Sequence, residues 1–188
     1  MKSLNTGSSM DKWRIKSRKN VFSRKIFTID DLECYHDKKN ENHTFTIIRT
    51  PVWINVVAVT SDKRIILVKQ HRLGTDEITY ETPAGIAESN EDPIESAKRE
   101  LLEETGCIPK KIVLMKKLKA NPAIMDTDIY FYFAEGCEFH NEQSLDEAED
   151  IEVELFSIEE IVKMIDDGRI DHSIIITAIL LYLKDFHK

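Results

Sequence analysis

The chain has 188 residues, 41% hydrophobic and 32% charged, a balance that suits one core with a small appended piece and excludes a collagen, a mucin-like stalk or a disordered tail. Lys and Arg total 26 against 34 Asp and Glu, a formal net charge of -8. That sign repels polyanions, so nucleic acid is not the expected partner, whereas a small phosphorylated substrate stays open because divalent cations turn a carboxylate cluster into a phosphate site. Cys34, Cys107 and Cys137 lie far apart, without zinc-knuckle spacing, which suits a reducing cytoplasm. The apolar run 174–183 is too short to span a bilayer, and no signal-peptide pattern opens the chain, so no membrane association is expected.

In chain order, the stretch before Met10 is polar and featureless; residues 1–17 are expected to be a flexible or artificially added leader, with Met10 as a candidate native start. From 25 to 49 two extended segments flank the polar turn DKKNEN, with Phe27 and Ile29 alternating in the first and Phe45, Ile47 and Ile48 in the second. Residues 18–50 are thus expected to form an N-terminal β segment, and 51–188 the main domain. After Pro51, VWINVVAVT and IILVKQ read as core strands around an SDKR turn. Residues 80–83 are short and extended before Gly85. Asp92 and Pro93 supply an N-cap and a first-turn proline for a helix that Gly106 should stop. Residues 111–118 and 129–134 read as strands framing the loop KANPAIMDT, and the acidic EQSLDEAEDIE leads into the strand VELF. Ser157 and Glu160 form a capping box for a helix that ends at Asp167-Gly168, and a last apolar helix covers about 171–183. Strands on both sides of the first helix argue for a mixed α+β or three-layer arrangement and against a regular βαβ series.

The chemistry concentrates in residues 85–107, GIAESNEDPIESAKRELLEETGC. On a helix, Glu100, Glu103 and Glu104 share one face beside the apolar stripe of Ile94, Ala97 and Leu101. Like charges at that spacing cost roughly a few tenths of a kcal/mol per pair, a cost that a bound cation reverses. Hard oxygen ligands favour Mg²⁺, with Mn²⁺ as the second choice. The segment fits G-x5-E-x7-R-E-U-x-E-E-x-G-U, with U bulky and apolar, at Gly85, Glu91, Arg99, Glu100, Leu101, Glu103, Glu104 and Gly106; Cys107 takes the last apolar place. Seven fixed charged or Gly positions should coincide by chance about once in a million chains of this length. This pattern resembles the Nudix box, and the chain resembles a Nudix hydrolase.

That resemblance implies an α/β/α sandwich with a mixed sheet, α+β in class, in which the box holds divalent metal against a diphosphate. It implies metal ligation by Glu100, Glu103 and Glu104, a structural role for Gly85 and Gly106, support of the loop by Glu91, and orientation of the glutamates by Arg99. Residues 81–85, ETPAG, are similar to the entry of the ADP-ribose and nucleotide-sugar branch, which implies a metal-ligating carbonyl at Ala84 and a substrate role for Glu81. Pro122, fifteen residues after Cys107, and Gln70-His71-Arg72 match further elements of that branch. Arg72 would there contact a phosphate, the alternative being an ordinary ion pair. The stretch DEAEDIEV resembles the loop that delivers the general base, implying Glu149 in that role, with Glu147 nearby and Glu103 on the helix as the alternative. The branch also implies a homodimer through the N-terminal segment; Trp53, Tyr35 and Phe45 are candidates to stack on a nucleobase. The expected activity is Mg²⁺-dependent cleavage of ADP-ribose or a nucleoside diphosphate sugar to a nucleoside monophosphate and a sugar phosphate. The competing readings are a nucleotide-sugar sensor without turnover and a hydrolase of another nucleoside diphosphate-linked or triphosphate substrate, RNA caps included.

Overall fold

A computed structural model describes residues 11–187, so the expected start at Met10 lies outside the described residues. Contacts divide the described chain into residues 11–50 with 121–126 and residues 51–120 with 127–187.

The larger unit is organised by strands whose side chains alternate between two apolar layers. In β4 (Trp53–Thr60), Ile54, Val56 and Ala58 face Ala97 and Leu101 of α1 (Pro93–Thr105). Val57 and Val59 point the other way, into a cluster with Ile161 and Met164 of α2 (Ile158–Asp166) and Ile175, Ala178, Ile179 and Tyr182 of α3 (Ser173–Asp185). Such double-sided burial is why β4 reads as a near-continuous hydrophobic run, broken inside the strand by the buried Asn55. The sheet runs β11 (Ile151–Phe156), β5 (Ile65–Arg72), β4, β10 (Asp128–Phe139), β8 (Cys107–Ile108). Onto this path β6 (Glu77–Glu81) pairs with β5, β7 (Ala84–Ile86) with β4, and β9 (Lys111–Lys119) with β10. β4 and β10 are parallel and the other pairs antiparallel. The result is the expected helix–sheet–helix sandwich with a mixed sheet.

The helix signals act as the sequence suggests. The Asp92 side chain accepts from the Ile94 N–H at the start of α1, and Gly106, at φ 70°, ends it with its N–H on the Leu102 carbonyl. Both halves of the capping box are present at Ser157 and Glu160. α3 opens at Ser173, two residues later than expected, with His172 as an N-cap that makes no side-chain hydrogen bond.

The smaller unit is a three-stranded antiparallel sheet, β1 (Arg14–Ser23), β2 (Thr28–His36) and β3 (Glu41–Arg49). The second and third strands form the hairpin read at 25–49. The first corrects the expected leader: Arg14 to Ser17 are strand, paired with residues of β2 from Glu33 to Tyr35. β2 buries alternate positions, Asp30, Leu32, Cys34 and His36. The buried Asp30 carboxylate accepts from the Asn20 amide at 3.0 Å and lies 3.4 Å from Arg18 and 3.6 Å from Arg49. Residues 121–126 join this unit through Ile48, whose N–H donates to the Ile124 carbonyl at 2.8 Å, and through an Arg49–Asp126 ion pair at 2.9 Å. Among the described residues no helix is long and apolar enough to cross a membrane.

Candidate active site

The site grows from the junction between β7 and α1. Ahead of it, the Thr82 hydroxyl donates to the Asn55 side-chain oxygen at 2.6 Å, both residues being buried, and the Val56 N–H donates to the Pro83 carbonyl at 2.8 Å. These bonds hold the ETPAG segment against β4, with Ala84 opposite Asn55. The Ala84 N–H then donates to Glu104 Oε2 at 3.0 Å, so the backbone of β7 fixes the carboxylate of a helix residue twenty positions on. A Cβ at Gly85 would fall on the Glu100 carboxyl group. Any larger residue there would have to push the Glu100 carboxyl group aside, because Glu100 lies directly on the strand backbone.

Glu104 is 3% exposed. Burial pushes its carboxyl up to about 8, helped by the charges of Glu100 and Glu149 and opposed by the Ala84 hydrogen bond. Burial also raises Glu100, where Arg99 pulls the other way and Glu103 and Glu149 add to the rise. Arg99 is the hub of this cluster. Its guanidinium donates to both oxygens of Glu91 at 3.1 Å, to Glu103 Oε2 at 2.9 Å and to the Ile86 carbonyl at 3.3 Å, and it lies 2.9 Å from Glu100 Oε1. Glu91 in turn accepts from the Ser96 hydroxyl at 2.6 Å and the Glu88 N–H at 3.1 Å, bracing the loop before α1. The Arg99 hydrogen bonds, then the one from Ser96, bring the Glu91 carboxyl down to about 2. Gly106 closes the helix where a Cβ would meet the Asn141 carbonyl oxygen, so its left-handed φ and this close approach both demand glycine.

The acidic segment 142–150 lies beside the end of α1. The exposed Glu149 accepts from the Asp146 N–H at 3.1 Å and donates its own N–H to the Asp146 carbonyl at 2.9 Å. Its charge is felt at Glu100, Glu104 and Arg72. Glu147 is exposed on the same turn. Arg72 donates to both oxygens of Glu81 at 2.7 Å, and the Thr79 hydroxyl adds a third bond to Glu81 at 2.7 Å. The two expected substrate contacts thus form one bidentate ion pair, the ordinary alternative for Arg72; burial raises the Glu81 carboxyl, but these hydrogen bonds and the charge of Arg72 together hold it below the usual carboxylate range.

Pro122 belongs to the smaller unit, in a turn where Asn121 accepts from the Ala123, Ile124 and Met125 N–H groups. Of the nucleobase candidates, Trp53 packs against the apolar cluster below α2 and α3, Phe45 meets the Trp13 ring at 5.2 Å, and the Tyr35 hydroxyl donates to Asn40 at 2.6 Å. Sequence reasoning missed Asn55, Thr82 and Gln143. Their contacts join distant segments, and none stands at a spacing that marks a site.

Among the described residues no three His, Cys, Asp or Glu side chains converge in the manner of a formed metal centre. Arg99 pairs with Glu100 and Glu103 through its guanidinium. The donor set still fits a hard divalent cation: the donors are carboxylate oxygens, and two of them sit where burial and mutual repulsion disfavour their charge.

The family model for the NUDIX domain matches residues 50–178. The chain belongs to the Nudix family and is a Nudix hydrolase, acting on a phosphoanhydride. It is 31% identical over 157 residues to an ADP-ribose pyrophosphatase of Bacillus subtilis (strain 168), covering 82% of this chain and 83% of the relative. It is 30% identical over 172 residues to a methanol dehydrogenase activator of Bacillus methanolicus, covering 89% of this chain and 91% of the relative. A solved structure titled as an ADP compounds hydrolase superposes with a TM-score of 0.83 at 19% identity, over 96% of this chain and all of that one. Nudix hydrolases generally use a divalent metal.

Proposed function

We propose that the protein is a Mg²⁺-dependent pyrophosphohydrolase of ADP-ribose or closely related nucleoside diphosphate sugars, releasing a nucleoside monophosphate and a sugar phosphate. The observation that carries this reading is the Glu100–Glu104 pair held against β7, Glu104 buried and Glu100 half-buried, with the charge of Glu149 felt at both. The B. subtilis relative, an ADP-ribose pyrophosphatase, supports the choice of substrate.

Glu100 and Glu104, with Glu103 and the Ala84 carbonyl, would hold the cation, which when bound neutralises diphosphate charge and lowers the pKa of a water. Arg99 keeps Glu100 and Glu103 oriented, and Glu91 keeps Arg99 in place. Glu149 accepts the proton of the water as its oxygen attacks phosphorus and the bridging P–O bond breaks. Arg72 exchanges part of its hold on Glu81 for a phosphate oxygen, the guanidinium having five donors for two partners. The exposed apolar side chains Ile15, Val21 and Phe22 of β1 and nearby Ile26 support a homodimer through the N-terminal segment. The free cysteines, all three buried, suit a cytoplasmic enzyme.

The test is phosphate release coupled to a phosphatase that attacks only the products. It spans ADP-ribose, several nucleotide-sugars, a dinucleoside polyphosphate and nucleoside triphosphates, with and without Mg²⁺. Preference for ADP-ribose or a nucleotide-sugar is expected. Activity confined to triphosphates overturns the substrate class, and tight binding without products points to a sensor.

A further inference from the structure

The last carbonyls of a helix have no partner within it, and in α1 those of Glu103 and Glu104 are taken by the acidic segment. The Ser144 N–H donates to the Glu103 carbonyl at 2.9 Å, while the His140 and Asn141 N–H groups donate to the Gly106 carbonyl at 3.1 and 3.2 Å. Gln143 adds a side chain to these backbone contacts. Its amide nitrogen donates to the Glu104 carbonyl at 2.6 Å and to the Ile151 carbonyl at 3.1 Å. Both N–H groups of one amide thus join the two ends of residues 144–150, one end on the metal-site helix and the other at the first residue of β11. Within this closed segment Glu149 is tied to Asp146 in both directions.

We infer that Gln143 is a positioning residue for the reaction: it clasps the acidic segment so that Glu149 stands beside Glu100 and Glu104. The inference rests on the reading of Glu149 as the proton acceptor. Leucine has a similar volume and no donor, so Gln143→Leu releases both carbonyls without opening a large cavity.

The experiment compares Gln143→Leu, Glu149→Gln and the double variant in steady-state kinetics with ADP-ribose and Mg²⁺, alongside amide hydrogen exchange. Gln143→Leu should lower kcat roughly ten- to a hundredfold, as misplacement of a reacting group does, with KM and the Mg²⁺ concentration for half-activity changed by less than about twofold. In the Glu149→Gln background the same substitution should cost less than about threefold, because its target is already gone. Exchange at the Ser144 and Glu149 amides should quicken while the interior of α1 stays protected, which separates a loosened segment from a damaged fold. Wild-type kcat in Gln143→Leu beside a slow Glu149→Gln overturns the inference alone, as does a full further loss in the double variant. Wild-type kcat in Glu149→Gln overturns the general-base reading and the inference together.

Discussion

Glu104 on α1 is 3% exposed and bonded to a strand backbone, whereas Glu147 and Glu149 on the neighbouring segment stand in solvent. The same kind of side chain stands in two different environments. Removing a carboxylate from water without a full set of donors makes its charge costly, so Glu104 favours either a proton or a cation. An exposed carboxylate keeps its hydration and is free to meet a water. Arg99 gathers three further carboxylates, Glu91, Glu100 and Glu103, onto one guanidinium.

This contrast can be broken most sharply at its buried half. Glu104→Gln and Glu100→Gln should each lower kcat on the order of a hundredfold or more in steady-state assays, with the circular dichroism spectrum unchanged. Glu149→Gln should cost about a hundredfold in kcat, the typical contribution of a general base, with the metal concentration for half-activity unaltered. A comparable loss in Glu103→Gln alone would move proton acceptance onto the helix. Gly85→Ala should displace the Glu100 carboxyl group and cost about tenfold in activity and in the metal concentration for half-activity, read by metal titration.

A stability measurement sharpens the same point. In metal-free protein, Glu104 binds its proton more tightly folded, at about 8, than at its ordinary 4.5. Its contribution is therefore full below about pH 4.5 and is lost as pH rises through about 8. The Tm of the metal-free wild type should fall between pH 5 and 8, and Glu104→Gln should flatten that slope. The smallest effect is expected at Glu147→Gln, within about twofold of wild-type kcat, since Glu147 is a solvent-exposed neighbour of the proposed base.

How much of this was legible follows from which interactions are local. Asp92, Pro93 and Gly106 mark the ends of α1 because caps act within a few residues, and Ser157 with Glu160 does the same for α2. The box glutamates were legible because helical spacing places them on one face. β1 was hidden because all ten of its residues are exposed and basic side chains break the alternation that marks a strand. The Arg72–Glu81 pair was hidden for a different reason. Its partners lie along one face of the β5–β6 hairpin, across the Gln70–Thr79 pair, and only the register reveals that reach. Gln143 reaches two backbone carbonyls, which carry no side-chain signature at all.

The parallel pairing of β4 with β10 has a consequence in time. Trp53 is matched to Ile129 and Val57 to Phe133, and the stretch between these strands contains the whole of α1. The apolar stripe of α1 packs against side chains of both strands, Ile54, Val56 and Ala58 from one and Tyr132 and Ala134 from the other. Its docking surface is incomplete until that long chain closure has occurred, and closures of this kind are slow because the entropy of the loop is lost before the contacts form. The helix can nucleate early from its own caps, but its carboxylates reach their final places only after the centre of the sheet has closed. A nascent chain released before residue 139 would carry every glutamate of the box and lack the full-length strand against which part of the helix's apolar stripe packs.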